Sequence, residues 1–192
     1  MKKHRLAVAV VVGALFPAPL LHAELPLEML ATITSATCEL EISNGGIINL
    51  STVKLDYFTS GMTAEQNIDG GEDFSIKVKG CTAPGENSLS QLHLQFMPKN
   101  GVFAAGSQQI FPNEETVGAE NVGIVIFSAV DHNNMFNVWS PGGQSRSIYS
   151  VTADKLVNSS WTFYTRMQQV NALQTVSAGK VSTSVLVDAS YN

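Results

Sequence analysis

Charge is scarce in this sequence, cysteine is scarcer, and helical periodicity is weak from end to end. Only 14% of the residues are Asp, Glu, Lys or Arg, and the balance is acidic. That excludes the basic stripe with which a protein neutralises a nucleic-acid backbone. Past residue 23 no apolar run is long enough to cross a bilayer as a helix. No Gly-x-Ser-x-Gly nucleophile setting and no phosphate-cradling glycine loop is present. Beyond the first 23 residues the only histidines are His93 and His132, and neither has the spaced His, Cys or carboxylate partners of a zinc site. Asp69, Glu72 and Asp73 surround Gly70-Gly71 without the alternating ligands of a calcium loop. No enzyme, metal, cofactor, nucleic acid or small-molecule substrate is therefore expected. There is also no internal repeat, low-complexity tract or linker at which to divide the chain.

What is there begins with an export signal. Lys2, Lys3 and Arg5 precede an apolar run from Leu6 to Leu21, broken by Gly13, Pro17 and Pro19 and closed by Leu21-His22-Ala23. A basic start, a short apolar core and a small residue at the cut mark a secretory signal peptide, residues 1–23. Its removal takes three of the eleven basic residues and no acidic one, leaving 8 Lys+Arg against 16 Asp+Glu, a net charge of −8. In an exported chain the pair Cys38 and Cys81 predicts one disulfide, formed in an oxidising compartment.

The rest reads as strands and turns. Apolar residues alternate at Cys38, Leu40 and Ile42, at Phe74, Ile76 and Val78, and at Leu92, Leu94 and Phe96, where His93 falls on the polar side. Val122 to Phe127 is almost continuously apolar, as a strand covered on both faces would be. Trp161 shares the parity of Phe163 and is read as core. Asn44-Gly45-Gly46, Asp69-Gly70-Gly71, Pro84-Gly85, Asn100-Gly101, Asn133-Asn134 and Pro141-Gly142-Gly143 separate the runs. Only Thr152 to Leu156 suits a helical turn. The pattern predicts an all-β, immunoglobulin-like sandwich in one domain.

The two ends carry the functional reading. Leu25, Leu27, Met29, Ala31 and Ile33 share one parity, whereas Cys38, Leu40 and Ile42 take the other. Side chains on a strand repeat every two residues, so one straight strand cannot bury both sets on one side. Residues 24–34 should thus form a separate element, hinged near Thr34 to Thr37. Its apolar face must be buried, either on its own domain or in the groove of another molecule. At the other end Gly179 opens an alternating strand, Val181, Thr183, Val185, Val187, Ala189 and Tyr191, which stops one residue before Asn192. A sandwich ending there exposes an unpaired edge unless another strand fills it.

Several features together resemble the pilin subunits of chaperone-usher fimbriae, in particular the minor subunits of type 1 fimbriae. They are Thr37-Cys38 after the N-terminal strand, Phe74-Ser75-Ile76-Lys77-Val78-Lys79-Gly80-Cys81, Phe163-Tyr164-Thr165-Arg166, Gly179, and the penultimate Tyr191. The resemblance implies an incomplete immunoglobulin-like sandwich over residues 35–192. Its missing last strand would come first from a periplasmic chaperone and then from the N-terminal extension of a neighbouring subunit. Leu25, Leu27, Met29, Ala31 and Ile33 would be the donor positions. Gly179, Val181, Thr183, Val185, Val187, Ala189 and Tyr191 would form a wall of the acceptor groove and the chaperone contact, with the Asn192 carboxylate held by the chaperone. An outer-membrane usher and other fimbrial subunits complete the implied partners, and the implied destination is the cell surface, through the periplasm. The implied function is that of a structural subunit supporting cell adhesion; the alternatives are a receptor-binding tip adhesin or a basal terminator. Two positions depart from the family pattern: Ala31 stands where glycine is frequent, and Pro26 cannot donate a ladder hydrogen bond.

Overall fold

The computed structural model describes residues 25–31, 39–58, 61–66, 68–79, 90–107, 109–129, 145–151 and 158–191. The described strands are β1 (Leu25–Ala31), β2 (Glu39–Ile42), β3 (Ile47–Leu50), β4 (Glu72–Lys79), β5 (Ser90–Pro98), β6 (Phe111–Pro112), β7 (Val122–Ser128), β8 (Ser145–Val151), β9 (Ser159–Gln169) and β10 (Thr183–Tyr191). They form two five-stranded sheets, ordered β3-β1-β10-β5-β8 and β2-β4-β9-β7-β6. The chain is the all-β, immunoglobulin-like sandwich that the alternation predicts.

Each alternating run becomes a strand with its apolar parity inward. Phe74, Ile76 and Val78 of β4 face Leu92, Leu94 and Phe96 of β5 across one core, and all six are buried. Phe163 of β9 joins the two layers, its ring centroid 5.4 Å from that of Phe74 and 5.5 Å from that of Phe96. The half-buried Trp161 packs against the same core, with its indole N–H donating to Ser159 Oγ at 2.9 Å.

β7 is buried along its whole length for the expected reason. Val122, Ile124 and Ile126 enter the main core, whereas Val125 and Phe127 enter a second apolar cluster on the outer face, with Ala104 and Ile110. His93 is only half-buried rather than open to water, because β5 lies between β10 and β8 in the sheet.

The parity switch near residue 34 corresponds to a change of sheet, since β1 belongs to one layer and β2 to the other. Cys38, Cys81, His132 and the Thr152 to Leu156 turn lie outside the described residues, as do the signal peptide and three of the glycine or asparagine turns. Of the neighbours of the two cysteines, Glu39 and Lys79 are direct partners across the β2–β4 ladder.

Candidate functional site: the slot between β3 and β10

β3 and β10 do not pair with each other; the strand between them is β1. β1 runs antiparallel to β3, with Leu25 opposite Leu50 and Leu27 opposite Ile48. Along its other edge it runs parallel to β10, with Leu27 opposite Thr183, Met29 opposite Val185 and Ala31 opposite Val187. This is the one parallel pairing among the described strands. Among the described strands, removing β1 would divide the first sheet, leaving β3 with no ladder partner and one edge of β10 bare. Of the two covers open to the N-terminal strand's apolar face, its own domain or another molecule, the structure shows its own domain, with β1 completing the sheet between β3 and β10. A bare edge pairs with the nearest available strand, and here that strand is tethered to the same molecule.

The slot has an apolar floor. Met29 is 4% exposed and belongs to the same core cluster as Ile48, Leu50, Val185 and Val187. On the β10 wall Val181, Thr183, Val185, Val187 and Ala189 are all buried, as their shared parity requires. Thr183 is the exception in chemistry: its hydroxyl is buried with no hydrogen-bond partner among the described residues. Leu25, Leu27 and Ala31 take their places along the β1 backbone and Tyr191 lies in β10 opposite Leu92, whereas Ile33 and Asn192 fall outside the described residues.

Gly46 is a groove residue that pattern reading does not single out as one. It closes the turn into β3 with φ +83°, and a Cβ there would stand 2.6 Å from the carbonyl oxygen of Met29. The turn thus needs glycine twice over, for its left-handed backbone and for the passage of the strand beside it.

Past Leu25 the slot runs on into an apolar cavity of about 460 Å³, lined by Val53, Phe58, Val122, Met167, Val176 and Val181 among others. Both registers, continued backwards from β1, run between Thr52 on one side and Gly179 on the other, and these two residues line the same cavity. Gly179 is exposed rather than part of the buried wall, and it packs against the backbone at Gly118 and Ala119. The start of β10 is held by that neighbouring segment. Asn113 Oδ1 accepts from Ser182 N–H at 2.9 Å, its amide donates to Lys180 O at 3.0 Å, and Glu114 Oε2 accepts from the Ser184 hydroxyl at 2.8 Å.

Arg166 serves a different end. It is fully buried on the outer face of β9, stacked 5.2 Å over the Phe127 ring. Its guanidinium donates to Thr63 O at 2.9 Å, Gln66 O at 2.5 Å, Met167 O at 3.0 Å and Gln168 Oε1 at 2.6 Å. Beside it Tyr164 donates its O–H to Ile68 O and accepts from Gly71 N–H, both at 2.7 Å. Burial lowers the Arg166 pKa and raises those of Tyr164 and Tyr57. The group pins the 61–71 loop to the sheet. Every N–H of Arg166 is engaged by protein, so it is a fastening rather than a ligand site.

Residues 27–192 match the fimbrial protein family. The chain belongs to that family. It is 44% identical over 166 residues to an uncharacterized fimbrial-like protein, YadK, of Escherichia coli (strain K12), a match covering 86% of this chain and 84% of that one. Among solved structures it is similar to the CupB6 tip adhesin of Pseudomonas aeruginosa, with a TM-score of 0.49 and 12% identity over 88% of this chain. The chain spans 40% of that adhesin's length. It is a chaperone-usher fimbrial subunit, working with other fimbrial subunits in a surface fimbrium.

Proposed function

We propose that this subunit is a structural link of the fibre, lending its N-terminal strand to one neighbour and accepting a strand from another. The observation that carries this reading is the place of β1: among the described strands it is the sole bridge between β3 and β10. A strand supplied to such a slot gains main-chain hydrogen bonds along both edges, while alternate side chains enter the core, the β-augmentation mode of recognition. In transit through the periplasm a chaperone strand would occupy the slot, and an outer-membrane usher would host its replacement by a subunit strand. The wall from Val181 to Tyr191 is the surface both would read, and Leu25, Leu27, Met29, Ala31 and Ile33 are the donated set. A donor strand longer than β1 would also fill the cavity at Val53, Phe58 and Val176.

The strand exchange is tested by producing the chain without residues 1–34, with and without a cognate periplasmic chaperone. Alone it should aggregate or be degraded; with the chaperone it should be recovered as a soluble pair. A stable, folded monomer from this shortened chain by itself would overturn the reading.

A further inference from the structure

We propose that the outer face of the second sheet carries a binding site for a neutral saccharide chain, separate from the slot. A cleft of about 600 Å³ opens there, within the range of roughly 300–1,000 Å³ that ligand sites occupy. Its walls come from the loop at residues 62–65, the loop before β6 and the end of β9. Those walls are fixed by bonds that the slot does not use. Arg166 donates to Thr63 O, and Gln168, 1% exposed, donates its amide to Met62 O at 3.1 Å and to Gln169 O at 2.9 Å. Across the cleft Ser107 Oγ accepts from the N–H groups of Gln109 and Ile110, both at 3.0 Å. Burying a guanidinium and an amide costs desolvation that an apolar core would avoid. What the two groups secure is the position of the loop, and a wall held in place before the ligand arrives is what makes binding cheap in ordering entropy.

The lining selects the ligand. Ile110, Ala64 and Val170, which belong to or pack on the outer apolar cluster, supply its apolar side. Around them stand Gln109, Gln169, Ser107, Thr63 and Glu65. Glu65 is exposed and makes no ion pair among the described residues, and neither Lys nor Arg lines the cleft with it. An anionic ligand would meet that carboxylate without a facing cation, so phosphate, sulfate and acidic sugars are disfavoured. A peptide would find little main chain to pair with, since the N–H groups of Thr63, Ser107, Gln109, Ile110 and Val170 are all bonded within the protein. A saccharide meets both conditions. Its C–H faces cover the apolar residues, while neighbouring hydroxyls donate to the carboxylate and exchange hydrogen bonds with the amides. Two adjoining depressions share Val170, or Gln169 and Ala172, with the cleft, so the site admits more than one sugar unit.

The test uses the isotope-labelled mature chain, closed by its own N-terminal strand, with each amide followed by NMR. It is titrated with maltotriose, with chitotriose, with a heparin fragment and with a short Gly-Ser-Lys peptide. A neutral trisaccharide should move the amides of residues 62–65, 106, 107, 109 and 168–172 together and saturably, leaving those of β3 and β10 still, whereas the heparin fragment and the peptide should not. Glu65→Ala should weaken that binding at least about tenfold, through loss of a charge-assisted hydrogen bond. Ala172→Trp, which places a large ring in the cleft, should block it without moving the thermal midpoint. Both positions are exposed, so neither result depends on repacking the core. Saturable shifts from the peptide alone would overturn the saccharide in favour of a protein ligand. Shifts scattered over the surface, or none with either trisaccharide, would overturn the site. No outcome bears on strand exchange, which uses the other sheet.

Discussion

Single residues in and around the slot decide whether a strand can lie there. At Gly46 a methyl group would meet the Met29 carbonyl and hold a left-handed backbone, a conformation that costs a non-glycine residue roughly 1–2 kcal/mol. Gly46→Ala is therefore expected to lower the urea midpoint of the closed chain and to reduce capture of a peptide of residues 24–34. Thr183 works in the opposite direction. Its hydroxyl lies in the core without a partner, and replacing such a group by an apolar one of the same shape removes a desolvation cost of about 1 kcal/mol. Thr183→Val is expected to raise the urea midpoint while leaving β10 in place. Arg166 is the most exacting residue of the three. Its planar guanidinium satisfies the carbonyls of Thr63, Gln66 and Met167 together. Arg166→Met would leave those acceptors buried and unpaired, and a loss of about 2–4 kcal/mol is expected. Lysine should not restore it, since an ammonium lacks the fork. Denaturant titration gives the loss, and limited proteolysis within residues 61–71 shows where it falls.

Among elements, β3 is the one most dependent on β1. It is short, lies at the edge of its sheet, and has β1 as its ladder partner there. β10 is less exposed to loss, because its other edge is paired with β5 from Val185 to Tyr191. Hydrogen exchange separates the two. When β1 is displaced from the closed chain, amides of β3 should lose protection first, and those of β5 and β9 last. Equal loss across both sheets would show that β1 is part of the folding core rather than a replaceable strand. β7 supplies the contrast: buried on both faces by the main core and by Ala104, Ile110 and Tyr164, it should remain protected until global unfolding.

For the molecule as a whole, the two cysteines set how far the sandwich depends on covalent closure. A Cys38–Cys81 bridge would tie the start of β2 to the end of β4, whose flanking residues Glu39 and Lys79 are already partners. In the chain-entropy account a loop of this length contributes about 4 kcal/mol. Mature protein is expected to resist alkylation until reduced, and reduction should lower its urea midpoint markedly. Ready alkylation of folded, untreated protein would rule the bridge out.

Much of this was legible in the residues themselves. Period-two alternation names β4 and β5, the unbroken run from Val122 to Phe127 names a strand covered twice, and the parity switch near Thr34 separates the first strand from the domain. These are local signals, set by which face of a pleated strand must leave water. Others are faint by nature: β3 has four residues, and β8, Ser145–Val151, mixes serines and an arginine among its apolar residues. Burial of Arg166 runs against its charge, and acceptors of the distant loop at Thr63 and Gln66, together with Met167 and Gln168 beside it, make it tolerable. The amino-acid order determined that there is an apolar strand at the N-terminus and an alternating one at the other end. Only the tertiary structure decided that they lie side by side, with β1 the bridge to β3 and a cavity beyond it. The physical reason is that burial demands a covered face without naming the cover, and sheet pairing between residues more than 150 apart is settled by how the layers close.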